Sequence, residues 1–171
     1  MTTNTDLPDE VTLEDRLNTI TVDTTYLERY QSESTIRDLP GLFLDEPRSL
    51  GGFNSGPTAL ETTLAALNAC SAMIMHIVRM ELKFEMSDIS FHTTAVVDSR
   101  RVEMKKTRKK YSEIEPVARH YRSVHQEITI RSDESGQRWD LFTSEVHRLC
   151  PMHALLEDAG VPVEIVWKRA D

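Results

Sequence analysis

Cys70 and Cys150 are the only thiols in this chain of 171 residues. A thiolate can attack an electrophilic oxygen, become a sulfenic acid, and condense with a second thiol to a disulfide that a dithiol can reopen. Two cysteines therefore suffice for a redox cycle if folding brings them together. Their separation of 80 residues leaves that to tertiary structure. Taken alone, Cys70 lies within an apolar helical stretch beside Leu67, Met73 and Ile74, where burial raises a thiol pKa and favours a structural role. Cys150 precedes Pro151 at a helix break, where the following amides change partners and can point at the sulfur. A metal reading competes, because His147, Cys150 and His153 are spaced by three, with Cys70 and His76 as further ligands. Pro151 disrupts the helix that would align them, and the ligand pairs of a zinc finger or ribbon are absent, so no metal is expected. His76, six residues after Cys70, points to another helical face and makes a poor catalytic dyad; a half-buried histidine is expected there. His92, His120 and His125 form no spaced set, and no nucleophile elbow, phosphate loop or dinucleotide fingerprint occurs.

The elements that must position these thiols follow from patterning. Residues 1–25 read as an N-terminal tail with a short helix over Thr12–Asn18, and residues 26–171 as one domain. Tyr26 to Asp38 is strand-like, and Leu39-Pro40-Gly41 is a turn leading to Leu42-Phe43-Leu44, which predicts a β-hairpin. A glycine-rich loop over residues 46–56 delivers the chain to a helix from about Pro57 to Leu82. Leu60, Leu64, Leu67, Ser71, Ile74 and Val78 repeat at three and four, and further apolar residues widen that surface until most of the helix must be buried. Strands are predicted over Ile89–Val97 and Gln126–Arg131. A second helix over Gln137–Leu149 breaks at Cys150-Pro151 and resumes to Asp158, with Gly160 as its terminal glycine. Val161–Trp167 closes the chain as a strand that Pro162 assigns to an edge or strand start. This order predicts an α+β fold with antiparallel sheet.

Composition narrows the functional classes. A content of 39% hydrophobic and 28% charged residues is that of a globular protein. The net charge of -8 opposes general nucleic-acid binding, which needs surplus Lys and Arg. Arg100–Lys110 is the exception, with seven basic residues and one acid; it reads as a solvated strand or hairpin edge in preference to a dock for an anionic partner. The uncharged run Thr62–Val78 carries Asn68, Ser71 and His76 and falls short of a membrane span. With no secretory signal pattern at the N-terminus and two distant cysteines, a reducing, cytoplasmic setting is expected.

Four segments together resemble the OsmC/Ohr-like family of hydroperoxide-reducing proteins: Ser34-Thr35-Ile36-Arg37-Asp38; Leu44-Asp45-Glu46-Pro47 through Leu50-Gly51-Gly52 to Gly56-Pro57; Leu60-Glu61-Thr62-Thr63-Leu64-Ala65-Ala66-Leu67-Asn68-Ala69-Cys70; and Cys150-Pro151-Met152-His153. The resemblance spans about residues 34–167. It implies an intertwined homodimer with the Cys-bearing helices packed centrally. It also implies that Cys70 is the peroxidatic cysteine and Cys150 the resolving one, with an arginine holding the thiolate. Arg37 is the first candidate and Arg48 the second. The implied substrate is an organic hydroperoxide, with Leu67, Met73 and Ile74 offering apolar contacts, and the implied reductant is a lipoyl-type dithiol. No cofactor, nucleic acid or membrane is implied. Well-characterised peroxidases of the family carry a glutamate ten residues before the first cysteine that orients the arginine. Here Leu60 holds that position and Glu61 stands one residue later, a rotation of about 100° on a helix. Glu61 is the candidate for that role. The competing reading is a non-catalytic dimer that binds a hydrophobic small molecule.

Overall fold

The computed structural model describes residues 17–102, 107–113 and 120–170, and the chain divides into two compact units, residues 1–57 and 58–171. The helix expected over Thr12–Asn18 falls mostly outside the described residues, and Leu17 and Asn18 are not helical.

The first unit contains an antiparallel meander of β1 (Asp23–Tyr26), β2 (Ser32–Thr35) and β3 (Leu42–Leu44). The β2–β3 pair is the predicted hairpin, with Ser34 opposite Leu42. β1 begins inside the segment read as a tail, and a turn at Leu27–Gln31 splits the strand-like run in two. The glycine-rich loop is ordered by one side chain. Buried Asp45 accepts hydrogen bonds from the amides of Glu46, Phe53 and Ser55 and from the Ser55 hydroxyl. A side chain at Gly52 would collide with the Glu46 carbonyl, which explains the glycine. Desolvation pushes the Asp45 carboxyl up, but the bonds from Ser55, Glu46 and Phe53 outweigh it and hold the group below its ordinary value.

The second unit is built on α1 (Ala59–Leu82). Thr58 and Glu61 form a reciprocal capping box, each side chain accepting from the other's amide, which starts the helix where Pro57 predicts it. Lys83, in the left-handed conformation at φ 50°, ends it. β4 (Ser87–Val96) pairs antiparallel with β5 (Ser123–Arg131), which is three residues longer at its start than patterning predicts. α2 (Gly136–Leu149) and α3 (Pro151–Asp158) then carry the chain back to β6 (Val163–Ala170). That helical crossover returns β6 parallel to β5, so the sheet β4-β5-β6 is mixed where an antiparallel one is expected. β6 lies at an edge, as Pro162 requires. In the basic segment, Ser99–Val102 is a short 3-10 turn in place of a strand edge, Arg100 pairs with Asp98 at 2.7 Å, and residues 103–106 lie outside the described residues.

Two apolar clusters hold this unit together. Met75, Val78, Phe84, Ile128, Ile130, Phe142 and Val146 form one; Leu67, Tyr121, Val124, Leu156 and Val161 form the other. Phe142 stacks on Phe84 at 4.1 Å between centroids and meets the edge of Trp167 at 6.2 Å. By length and composition α1 can cross a membrane, contrary to the polar reading of Thr62–Val78, yet it packs on α2, α3 and β4 as a core helix. Burial is confined to Leu67, Ser71, Met75 and Val78, while Met73, Ile77 and Met80 are exposed, so the helix is less enclosed within one chain than its composition predicts.

Replacing Phe142 by Ala is expected to cost about 3–5 kcal/mol, read as a lower denaturant midpoint. Because the folded-state pKa of Asp45 is depressed, its contribution to stability is complete above its ordinary pKa and is lost as pH falls through the folded value. Asp45→Ala should therefore speed amide exchange at Phe53 and Ser55 at neutral pH and reduce the acid dependence of that exchange.

Candidate active site

The break between α2 and α3 determines where the second thiol goes. Pro151 has no amide hydrogen and occupies the first turn of α3, and Cys150 adopts an extended conformation at φ -79°, ψ 109°. Its amide still bonds to the His147 carbonyl, and its own carbonyl accepts from Ala154. The side chain is thereby released from both helical faces and buried against α1. There it interacts with the Cys70 thiol, and Ser71 Oγ lies 4.0 Å from Cys150 Sγ. Both cysteines are free thiols. Thus the 80-residue gap in sequence closes to the range at which the two side chains interact.

The two sulfurs differ in environment. Cys70 is partly exposed and Cys150 is buried. Desolvation raises the Cys70 pKa; the Met152 amide opposes this, and the neighbouring Cys150 adds to it. Desolvation also pushes the Cys150 thiol up, but the side chain, amide and charge of His153, together with the Cys70 thiol, outweigh it and bring Cys150 down to about 6.

A polar relay sits behind the thiols, between the two apolar clusters. β5 buries alternate residues Val124, Gln126, Ile128 and Ile130, so Gln126 stands in an otherwise apolar row. Gln126 Oε1 accepts from His153 Nε2 at 2.9 Å, and its Nε2 donates to Asn68 Oδ1 at 2.9 Å and lies 3.4 Å from Ser71 Oγ. Thr93 of β4 donates to the same Asn68 oxygen at 2.6 Å. Sequence reading gives no site role to Asn68, Ser71, Thr93 or Gln126, and considers His153 as a metal ligand and as the end of the Cys150-Pro151-Met152-His153 segment. A signal existed in the glutamine that interrupts the inward-facing row of β5.

The remaining expected site residues are distributed as follows. Glu61 is committed to the capping box with Thr58, nine residues before Cys70 and roughly 14 Å along the helix axis. Arg37 belongs to the first unit, exposed at the β2–β3 turn with φ 53°. Arg48 lies in the short 3-10 turn of the glycine-rich loop. The three apolar candidates differ in burial: Leu67 is in the second cluster, Ile74 packs on the first, and Met73 is 67% exposed. His76 is exposed, not half-buried. Among the described residues no three His, Cys, Asp or Glu side chains gather to hold a metal; His147 instead pairs with Glu157 at 2.8 Å.

A long helix bearing one thiol and a broken helix bearing another, packed on a mixed sheet, make this an α+β dithiol protein. The family model described as OsmC-like protein matches residues 52–166, and the chain belongs to that family. Similar solved structures include an OsmC-like protein from Mycoplasma pneumoniae, with a TM-score of 0.71 at 13% identity, covering 90% of this chain and 99% of the other. An organic hydroperoxide resistance protein OsmC from Legionella pneumophila has a TM-score of 0.60 at 16% identity, covering 89% and 98%. An organic hydroperoxide resistance protein from Elizabethkingia anophelis has a TM-score of 0.62 at 13% identity, covering 90% and 98%. At such identities the likeness establishes the fold. No curated protein matches the sequence.

Replacing Gln126 by Leu would leave a buried His153 N–H without its acceptor and remove one of the two donors to the Asn68 carbonyl, the other being Thr93. The expected cost is about 1–3 kcal/mol in denaturant unfolding, and Gln126→Glu, which keeps the acceptor but loses the donor to Asn68 and buries a carboxyl, is expected to cost at least as much.

Proposed function

We propose that the protein is a thiol-dependent peroxidase that reduces organic hydroperoxides. The observation that carries this reading is that the chain's only two thiols lie close enough to interact inside the folded unit. Cys70 is the more exposed sulfur and the one a peroxide meets first. Passing its proton towards Cys150 makes it a thiolate, which attacks the outer peroxide oxygen. The O–O bond breaks, Cys70 becomes a sulfenic acid, and the alkoxide leaves as the alcohol after taking up that proton. Cys150 then attacks the Cys70 sulfur, the S–O bond breaks with loss of water, and a disulfide remains. A lipoyl-type dithiol restores both thiols by exchange and is itself oxidised to a disulfide.

In this reading Arg37 or Arg48 supplies the cation that favours the Cys70 thiolate as peroxide enters, with Glu61 as the acid that orients it. The working form is a homodimer in a reducing, cytoplasmic setting. The exposed row Met73, Ile77 and Met80 on α1 supports a second copy packing on that helix, and Met73 then contributes to an apolar substrate surface with Leu67 and Ile74.

Thiol titration before and after cumene hydroperoxide tests the proposal. Two reactive thiols should fall to none, and Cys150→Ser should stop at a Cys70 sulfenic acid trapped by dimedone. Unchanged thiols in folded protein would sink it. Arg37→Ala should slow oxidation by about tenfold or more, equivalent to roughly 1.4 kcal/mol or more of lost transition-state stabilisation.

A further inference from the structure

The proposed cycle uses two sulfurs, and one further residue bonds to both of the helices that carry them. Gln126 is fully buried on β5, and its amide reaches α1 and α3 at once. Its Nε2 donates to Asn68 Oδ1 at 2.9 Å and lies 3.4 Å from Ser71 Oγ, while its Oε1 accepts from His153 Nε2 at 2.9 Å. Asn68 and Ser71, three residues apart on one face of α1, bracket Cys70, and His153 follows Cys150 by three residues. The Ser71 hydroxyl in turn lies 4.0 Å from Cys150 Sγ, so the side chains that anchor Gln126 stand beside the thiol pair. Thr93 of β4 donates to the same Asn68 oxygen at 2.6 Å, which ties the α1 end of the bridge to a second strand.

Apolar packing alone is poorly suited to fixing such a spacing. A disulfide needs Cβ atoms about 3.5–4.5 Å apart, whereas apolar side chains slide over one another at little cost because their attraction has no direction. Hydrogen bonds are directional, and a buried donor or acceptor left without its partner costs the full desolvation of that group. The inward row of β5 is otherwise Val124, Ile128 and Ile130. An amide in that row exchanges apolar burial for defined distances to two helices.

We infer that Gln126 is a positioning residue for the thiol pair: by hydrogen-bonding Asn68 on α1 and His153 on α3 at once, it holds Cys70 and Cys150 at the spacing from which their disulfide closes. Its bonds go to the residues flanking the cysteines, so it acts on the sulfurs through helix placement. The inference rests on the Cys70–Cys150 disulfide of the proposed cycle and is independent of peroxide as its source. Glutathione disulfide serves as an alternative oxidant. One protein thiolate bonds to a glutathione sulfur, the S–S bond breaks, and a glutathione thiolate leaves; the second protein thiolate then displaces the other glutathione, and the two cysteine protons end on the two glutathione thiols. The first exchange needs one cysteine alone. Closure needs both within bonding distance, and that is the step Gln126 serves.

Equilibration in glutathione buffers tests this, with open, mixed-disulfide and closed forms counted by mass spectrometry after alkylation. Gln126→Leu should lower the closure constant by about tenfold and raise the fraction held as mixed disulfide with glutathione. Asn68→Ala cuts only the α1 arm at a half-buried position and should act in the same direction, and the double variant should fall no further than Gln126→Leu alone. Should Gln126→Leu not fold, Asn68→Ala carries the test by itself. Phe142→Ala weakens the other apolar cluster without touching the bridge, so its folded form should close as the unmodified protein does. A closure constant unchanged in the folded bridge variants, or lowered equally by Phe142→Ala, would overturn the inference. A pair that closes with glutathione in the expected order of variants but ignores peroxide would refute the peroxidase reading and leave the role of Gln126 standing.

Discussion

Pro151 has no amide hydrogen, and much of the site depends on the helical bond it cannot make. An uninterrupted helix from Gly136 to Asp158 would fix Cys150 on one helical face at a rotation set by its neighbours. The break gives Cys150 an extended backbone, places Pro151 where a missing amide costs nothing, and lets the thiol turn into α1 beside Cys70. The same break sets the course of α3, which buries Leu156 and His153 in one turn and leads through Gly160 into a strand parallel to β5.

The pair of thiols lies at a seam between two apolar clusters, and the seam is polar by construction. Buried polar groups are tolerable when each finds a partner, and Thr93, Asn68, Gln126 and His153 provide this for one another in a single chain of hydrogen bonds. The relay ends at the Nδ1 of His153, the one buried side-chain polar atom among the described residues without a hydrogen-bond partner. Such a network gives the ring a defined tautomer and holds it in place. Low dielectric surroundings then strengthen its effect on Cys150.

Much of the architecture was legible from patterning. The start and end of α1, the break at Cys150-Pro151, the edge position of the last strand and the β2–β3 hairpin follow from Pro57, Thr58, Pro151, Pro162 and the Leu39-Pro40-Gly41 turn, because these residues act through local backbone geometry. The parallel β5–β6 pairing was not legible, since strand direction depends on where a helical crossover lands. The mutual placement of Leu67, Met73 and Ile74 shows the same limit: spacing puts them on one helix, but only packing decides that one is core, one is flanking and one faces outward.

By itself, the sequence determined which residues can react, Cys70 and Cys150, and that one of them ends a helix, because chemical type and proline geometry are properties of single residues. Family membership for residues 52–166 also rests on sequence. Tertiary structure decided that the thiols meet, that Cys150 carries the lower pKa, and that Gln126 and His153 stand behind it. Those outcomes depend on distances between residues remote along the chain and on the loss of water around them, and neither is set until β5, α1 and α3 pack together.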